Sequence, residues 1–255
     1  MPDPVLWGFA ALVGASIGSF LNVCICRWPE GESVVSPRSR CPECSAAIGW
    51  RDNIPVLSWA LLRGRCRGCR TGISAQYPLV ELATGAIWVA AVVRYGPSWQ
   101  ALSMAVFFTL LLGIAMTDMR AYIIPDEFSL GGLVIGLLLA LAPGGISIQS
   151  ALAGAVLGFG LLSAVGLIGE WLFKKPAMGG GDIKMMAMVG AFLGPVGVLL
   201  TIFLGALIGT VVFGPISWRT GKLVPFGIFL ALGAGVAEAW GGGIVGWYTT
   251  TILGG

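Results

Sequence analysis

Two aspartates, Asp118 and Asp182, have positions along the chain that favour catalytic chemistry. Asp118 ends the uncharged stretch 95–117, and Asp182 follows three glycines and stands just before the uncharged stretch 185–218. Two carboxylates held close together share one proton, so that one can accept a proton from water while the other donates to a peptide carbonyl. The pair therefore predicts aspartyl protease chemistry. The glycines at 179–181 would let a substrate backbone approach, because they lack a Cβ.

Each aspartate also has an interpretation without catalysis. Asp118 would be solvated or paired with Arg120 at a helix end, and Asp182 would be the N-cap of the helix that follows it. The absence of histidine excludes Ser-His-Asp triads, Cys-His dyads and HExxH zinc proteases. Three alternatives remain open: a Ser–Lys peptidase with a base such as Lys184, a proton-coupled membrane transporter that uses the carboxylates, and a structural membrane adaptor.

Four cysteines form two C-x2-C pairs, Cys41 with Cys44 and Cys66 with Cys69, and 21 residues separate the pairs. Four thiolates on two tight turns suit a tetrahedral zinc ion, and an all-cysteine site leaves no position open for catalysis. The pattern predicts structural zinc, since a loop with few large apolar side chains has little core of its own. Two disulfides or four free thiols are the alternatives. Disulfides are disfavoured if the loop faces the reducing cytoplasm.

The composition predicts that these residues are carried by helices in a membrane. Of the 255 residues, 56% are apolar and 11% are charged, whereas globular proteins have about 25% charged residues. We therefore expect an all-α polytopic membrane protein that has the lipid bilayer as its surroundings. The net charge of +3 is too small to indicate a nucleic-acid partner.

Uncharged stretches place about eight transmembrane helices. The stretch 128–169 is too long for one crossing and is expected to turn at 143–145, and the stretch 185–218 is expected to break at Gly194-Pro195. The predicted spans are 4–26, 76–94, 97–117, 127–142, 147–172, 183–194, 196–215 and 225–250. Segment 183–194 is short, so seven helices remain an alternative.

The basic residues predict the orientation of these spans. Eight of the fifteen Lys and Arg lie in the 27–75 loop, and the positive-inside rule puts that loop in the cytoplasm. Alternation then places the N-terminus and Arg94 in the periplasm, and every other basic residue, Arg120 and Lys222 included, in the cytoplasm. The predicted domains are the first transmembrane helix 1–26, the tetracysteine loop domain 27–75 and the transmembrane peptidase core 76–255.

Six sequence blocks stand out along the chain. They are GSFLNVCICRWP at 18–29, SRCPEC at 39–44 running into IGWRDNIPVLSW at 48–59, RGRCRGC at 63–69 followed by YPLVEL at 77–82, TDMRAYIIPD at 117–126, GGGDIK at 179–184 and VPFG at 224–227. These blocks, in this order, resemble those of the type IV prepilin peptidases, also called prepilin leader peptidase/N-methyltransferases. Small departures are Cys26 and Trp28, where the family more often has Tyr and Leu, and Arg51, where Tyr is common.

This resemblance implies an eight-helix enzyme of the bacterial inner membrane, with Asp118 and Asp182 as its catalytic pair. Its expected substrates are type IV prepilins and type II secretion pseudopilins, whose short basic leader is cleaved at the cytoplasmic face. Family members with the tetracysteine loop typically also methylate the new N-terminal residue, usually Phe, with S-adenosylmethionine. No residue here is assigned to that methyl donor. Asp126, Glu127 and Glu170 are expected to attract the basic leader weakly.

Overall fold

The computed structural model describes residues 3–220 and 225–251, and these residues form eight α-helices and no β-strand. The chain forms two compact units, residues 1–109 and residues 110–255. Two residues with sequence predictions lie outside the described residues. They are Lys222, which is predicted to face the cytoplasm, and Val224, the first residue of the block at 224–227. The helices are α1 (Pro4–Arg27), α2 (Leu57–Leu61), α3 (Gln76–Tyr95), α4 (Trp99–Ala121), α5 (Asp126–Leu139), α6 (Ile148–Phe173), α7 (Gly180–Thr220) and α8 (Phe226–Thr251).

Six of the helices in the described residues are long and apolar enough to cross a membrane: α1, α3, α4, α6, α7 and α8. Helix α5 has 14 residues, fewer than the roughly 20 of a full crossing. Helix α7 is interrupted at Gly194, where φ is 71° and ψ is −175°, at the predicted break. These helices confirm the all-α, multi-pass architecture.

In the unit formed by residues 1–109, small residues let helices α1 and α3 approach closely. A Cβ on Gly14 would lie 2.8 Å from the Thr84 carbonyl oxygen, and one on Gly18 would lie 2.8 Å from the Glu81 Cα. The buried Asn22 side chain donates hydrogen bonds to the carbonyls of Gly18 and Tyr77. Small residues and interhelical hydrogen bonds are the usual means of helix association in lipid.

The segment between α1 and α3 is tied to both helices by charged side chains. Arg27, in the last turn of α1, donates to the carbonyls of Ser33 and Pro37, each at 2.8 Å. Glu81, which is 7% exposed in α3, accepts a hydrogen bond from the Val56 backbone N–H at 2.7 Å. Val56 has a φ of 61°, a conformation that β-branched residues rarely adopt. The Glu81 carboxylate therefore stabilises an unfavourable turn.

In the unit formed by residues 110–255, glycines bring α6 and α7 into backbone contact. A Cβ on Gly154 or Gly190 would fall on the backbone of the other helix, and a Cβ on Gly158 would fall on the Met186 carbonyl. Helix α7 also packs against α5 and α8, and Gly205 and Gly233 are in close contact across the α7–α8 interface. Helix α7 thus packs against three helices of this unit, α5, α6 and α8. This packing fixes the position of its N-terminal turn, which carries Asp182.

Candidate active site

Asp118 and Asp182 line a single cavity of about 240 Å³ in the unit formed by residues 110–255. Asp118 is 5% exposed and Asp182 is half-buried. The remaining lining comes from 122–124, which follow α4, and from the glycines 179–181. A cavity of about 370 Å³ within residues 1–109 is lined by groups such as Trp88 and Trp99 and by no carboxylate or thiol. The structure therefore joins the two aspartates that the sequence singled out.

Asp118 lies in the last turn of α4, and its carboxylate contacts the first turn of α8. Its Oδ2 accepts a hydrogen bond from the Ile228 N–H at 3.0 Å, and the Gly227 backbone also hydrogen-bonds to it. The first N–H groups of a helix have no partner within the helix and favour a negative group. A Cβ on Gly227 would lie 2.8 Å from this Oδ2, so only glycine lets the carboxylate approach the helix.

Asp182 lies inside the first turn of α7. The helix begins at Gly180, three residues earlier than predicted, so the interpretation of Asp182 as an N-cap is wrong. Its carboxylate instead accepts a hydrogen bond from the backbone of Gly179, the residue just before the helix. Negative groups in the first turn of a helix are stabilised by the helix dipole. Both aspartates therefore lie at helix N-termini, Asp182 in its own helix and Asp118 against another.

Ile124 separates the starts of the two helices. A Cβ on Gly181 would lie 2.9 Å from the Ile124 Cβ, and a Cβ on Gly227 would lie 2.8 Å from the Ile124 Cδ1. Glycine at both positions lets α7 and α8 begin against the same side chain. Three of the sequence blocks, which are far apart in the chain, thus meet at Ile124, one of the residues that line the cavity.

An ion pair links the first turns of α5 and α7 beside the cavity. Lys184 Nζ donates to Asp126 Oδ1 at 2.7 Å and to Oδ2 at 2.9 Å. The side chain that the Ser–Lys alternative would use as its base is thus engaged by a carboxylate. The pair also occupies one of the acidic groups expected to attract a leader, while Glu127 and Glu170 are exposed.

The four predicted zinc ligands come together in the unit formed by residues 1–109. Their Sγ atoms lie within 4.8 Å of one another, with 3.7 Å between Cys41 and Cys69 and 4.0 Å between Cys44 and Cys66. Tetrahedral zinc with Zn–S bonds of about 2.3 Å requires sulfur separations of about 3.8 Å. These separations exceed the S–S bond length of about 2.05 Å in a disulfide, and none of the six cysteines, which all lie within the described residues, forms a disulfide. The thiol set therefore fits a tetrahedral metal ion.

Each cysteine pair is carried by the same backbone turn. Cys41 N–H donates to the Ala46 carbonyl and Ser45 N–H to the Cys41 carbonyl, and Cys66 and Arg70 repeat the pattern. Short antiparallel bridges, Arg40 with Ala47 and Arg65 with Gly72, close the two turns. Two equivalent turns that face each other explain why the sequence pattern alone predicts this cluster.

Local hydrogen bonds distinguish the thiols of the cluster. The side chain and backbone of Thr71 lower the pKa of Cys69 to about 6. The Ala46 backbone lowers the pKa of Cys44, but the Cys69 thiol, burial and the other thiols outweigh this effect and bring the pKa to about 11.

An ion pair between Asp52 and Arg67 lies beside the second cysteine pair. The Arg67 guanidinium, hydrogen-bonded to Asp52, lowers the pKa of that carboxyl. Asp52 and Arg67 thus pin the second cysteine turn to the segment before α2.

Sequence reasoning missed the contacts that hold the predicted residues in place. It gave Glu81 no role and did not connect Gly227 or Ile228 with Asp118. The glycines before Asp182 were expected to admit a substrate, but those at 179 and 181 are required by contacts within the protein. The sequence did carry one signal, since Gly227 lies two residues after Pro225 at the start of the last predicted helix. A glycine there indicates that another group approaches the helix backbone closely, but it does not indicate which group.

The fold and the cavity define a multi-pass membrane protein with two aspartates at one site. The family model for the bacterial peptidase A24 N-terminal domain matches residues 12–95, and that for the type IV leader peptidase family matches residues 105–214. The chain belongs to the type IV leader peptidase family. This membership confirms the resemblance and favours the peptidase hypothesis over the transporter.

Curated relatives agree with the family models. A protein of Aeromonas hydrophila is 36% identical, over 97% of this chain and 96% of its own length. One of Stutzerimonas stutzeri is 36% identical over 96% and 95% of the two chains, and one of Myxococcus xanthus is 38% identical over 87% of this chain and 66% of its own length. All three are named prepilin leader peptidase/N-methyltransferase. No solved structure matches the chain.

Proposed function

We propose that this protein is a membrane-embedded aspartyl endopeptidase with Asp118 and Asp182 as its catalytic pair. Its substrates are type IV prepilins and type II secretion pseudopilins, and it removes their basic leader at the cytoplasmic face of the inner membrane. The observation that carries this proposal is the single cavity lined by both carboxylates. The family membership and the names of the relatives support the same reaction.

The reaction needs one ionised and one protonated carboxyl group. The ionised group takes a proton from a water molecule as the water oxygen attacks the scissile carbonyl carbon, and the protonated group donates to the carbonyl oxygen. The C–N bond then breaks, and the leaving nitrogen takes a proton to become the new N-terminal amine. Hydrogen bonds from α8 to Asp118 and from Gly179 to Asp182 fix the two carboxyl groups for this exchange.

We also propose that the protein methylates the new N-terminal amine with S-adenosylmethionine, as the names of the relatives indicate. The methyl group passes from sulfur to the amine nitrogen, which loses a proton. We assign none of the described residues to the methyl-donor site. The structural zinc ion is proposed for Cys41, Cys44, Cys66 and Cys69, whose geometry supports it.

The test of the peptidase is cleavage of a purified prepilin by the purified protein in detergent or vesicles. Asp118→Asn and Asp182→Asn should each lower the cleavage rate by at least about a hundredfold, because an amide of the same shape cannot transfer the proton. Equal helix content in both variants, by circular dichroism, shows that the fold is retained. Full activity in either folded variant would end the assignment of the pair.

A further inference from the structure

The three glycines that precede Asp182 have different surroundings. A Cβ on Gly179 would lie 2.8 Å from the Asp182 Oδ2, and a Cβ on Gly181 would lie 2.9 Å from the Ile124 Cβ. A Cβ on Gly180 would meet no atom within 4 Å, although Gly180 lines the cavity with both aspartates. Among these three cavity-lining glycines, Gly180 is therefore the one at which an added Cβ would meet no other atom of the protein.

We propose that position 180 determines the size of the substrate side chain that the cavity accepts beside the scissile bond. This inference rests on the proposed peptidase function and goes beyond it, because it assigns selectivity to a residue that takes no part in proton transfer. The residue concerned in the substrate is the first residue of the mature pilin, the one that follows the cleaved bond.

The geometry of the reaction connects the cavity with this substrate residue. The scissile carbonyl must lie close to both carboxylates, which brings the side chains that flank the scissile bond, that of the first mature residue among them, to the cavity of about 240 Å³. Ile123 and Tyr122 supply an apolar and an aromatic wall, which suits a large apolar side chain. Glycine at 180 leaves the full width for such a side chain, and each carbon added there would reduce it.

The experiment measures kcat/KM for wild-type protein, Gly180→Ala and Gly180→Val on prepilins that differ only in the first mature residue, with Phe, Leu or Ala at that position. Gly180→Val should lower kcat/KM for the Phe substrate by about tenfold or more relative to the Ala substrate, the discrimination usual for a change of pocket size. Gly180→Ala should show the same order with a smaller effect.

Gly160→Val is the matched control, since Gly160 lies in α6 of the same unit and a Cβ there also meets no atom within 4 Å. It should keep the wild-type preference. A uniform loss on all three substrates in folded Gly180 variants, or an unchanged preference, overturns the inference. A wild-type protein that cleaves none of the prepilins would instead contradict the proposed function, so the two failures are distinguishable.

Discussion

Asp118 is held by backbone groups that lie 110 positions further along the chain. This contact gives the catalytic proposal a positioning residue that is not itself reactive. Gly227 has no side chain, yet its replacement would push the carboxylate away from the α8 N-terminus, since the added Cβ would lie 2.8 Å from the Asp118 Oδ2.

Gly227→Ala should therefore lower kcat by roughly 10- to 100-fold with little change in KM, because small displacements of catalytic groups have effects of this size. Steady-state cleavage assays measure the two constants. Gly242→Ala, in the same helix and with open space at its Cβ position, is the control and should keep wild-type kinetics.

The added Cβ would also contact Ile124, so a second variant separates the two effects. Ile124→Val removes the Cδ1 atom in question while leaving Asp118 untouched. Combined with Gly227→Ala, it should not restore kcat. Restoration to the Ile124→Val level would show that packing, and not the carboxylate position, causes the loss.

At the scale of elements, one prediction concerns the tetracysteine loop. We expect one zinc ion per chain in the purified protein, measured by elemental analysis. Cys41→Ser or Cys66→Ser should lose the metal, and Cys26→Ser, which lies outside the cluster, should retain it. Substoichiometric metal that none of these replacements changes would contradict the assignment.

The attachment of this loop to α3 depends on Glu81. Glu81→Ala would leave the Val56 N–H without its acceptor, at a cost of about 1–3 kcal/mol, and should make the loop more sensitive to limited proteolysis. Glu81→Gln keeps an acceptor oxygen and should be closer to wild type. Equal protection in Glu81→Ala would mean that the contact does not hold the loop.

The elements differ in how far the sequence predicts them. The approximate positions of the long helices and the break at Gly194 follow from charge-free stretches and a Gly-Pro pair, which are local signals. The cysteine cluster follows from two identical turns. The contacts of Glu81 with Val56 and of Asp118 with Ile228 depend on how distant segments pack, and no spacing within the sequence encodes them. The reactive groups can therefore be predicted from the sequence, whereas the contacts that hold them in place cannot.

At the scale of the whole molecule, the charge distribution predicts a periplasmic Arg94 and a cytoplasmic Arg120. A membrane-impermeant thiol reagent tests this on two variants, Arg94→Cys and Arg120→Cys. Each variant is made in a background that lacks Cys24 and Cys26 but keeps the four proposed zinc ligands. Position 94 should be labelled in intact cells and position 120 only after permeabilisation. The background without an added cysteine gives the baseline.

Labelling of position 120 in intact cells would contradict cleavage at the cytoplasmic face, because Asp118 lies in the same helical turn. Position 222 tests the number of crossings in the same way. Labelling there from outside would favour the seven-helix alternative.

The backbone contact between α6 and α7 has a consequence for how the protein assembles. Glycines at 154, 158 and 190 meet backbone directly, so the two helices have few rotamers to order at this contact and lose little side-chain entropy there. They are also neighbours in the chain, separated only by residues 174–179. We expect this helical hairpin to form early in the bilayer and to provide the template on which α5 and α8 then dock.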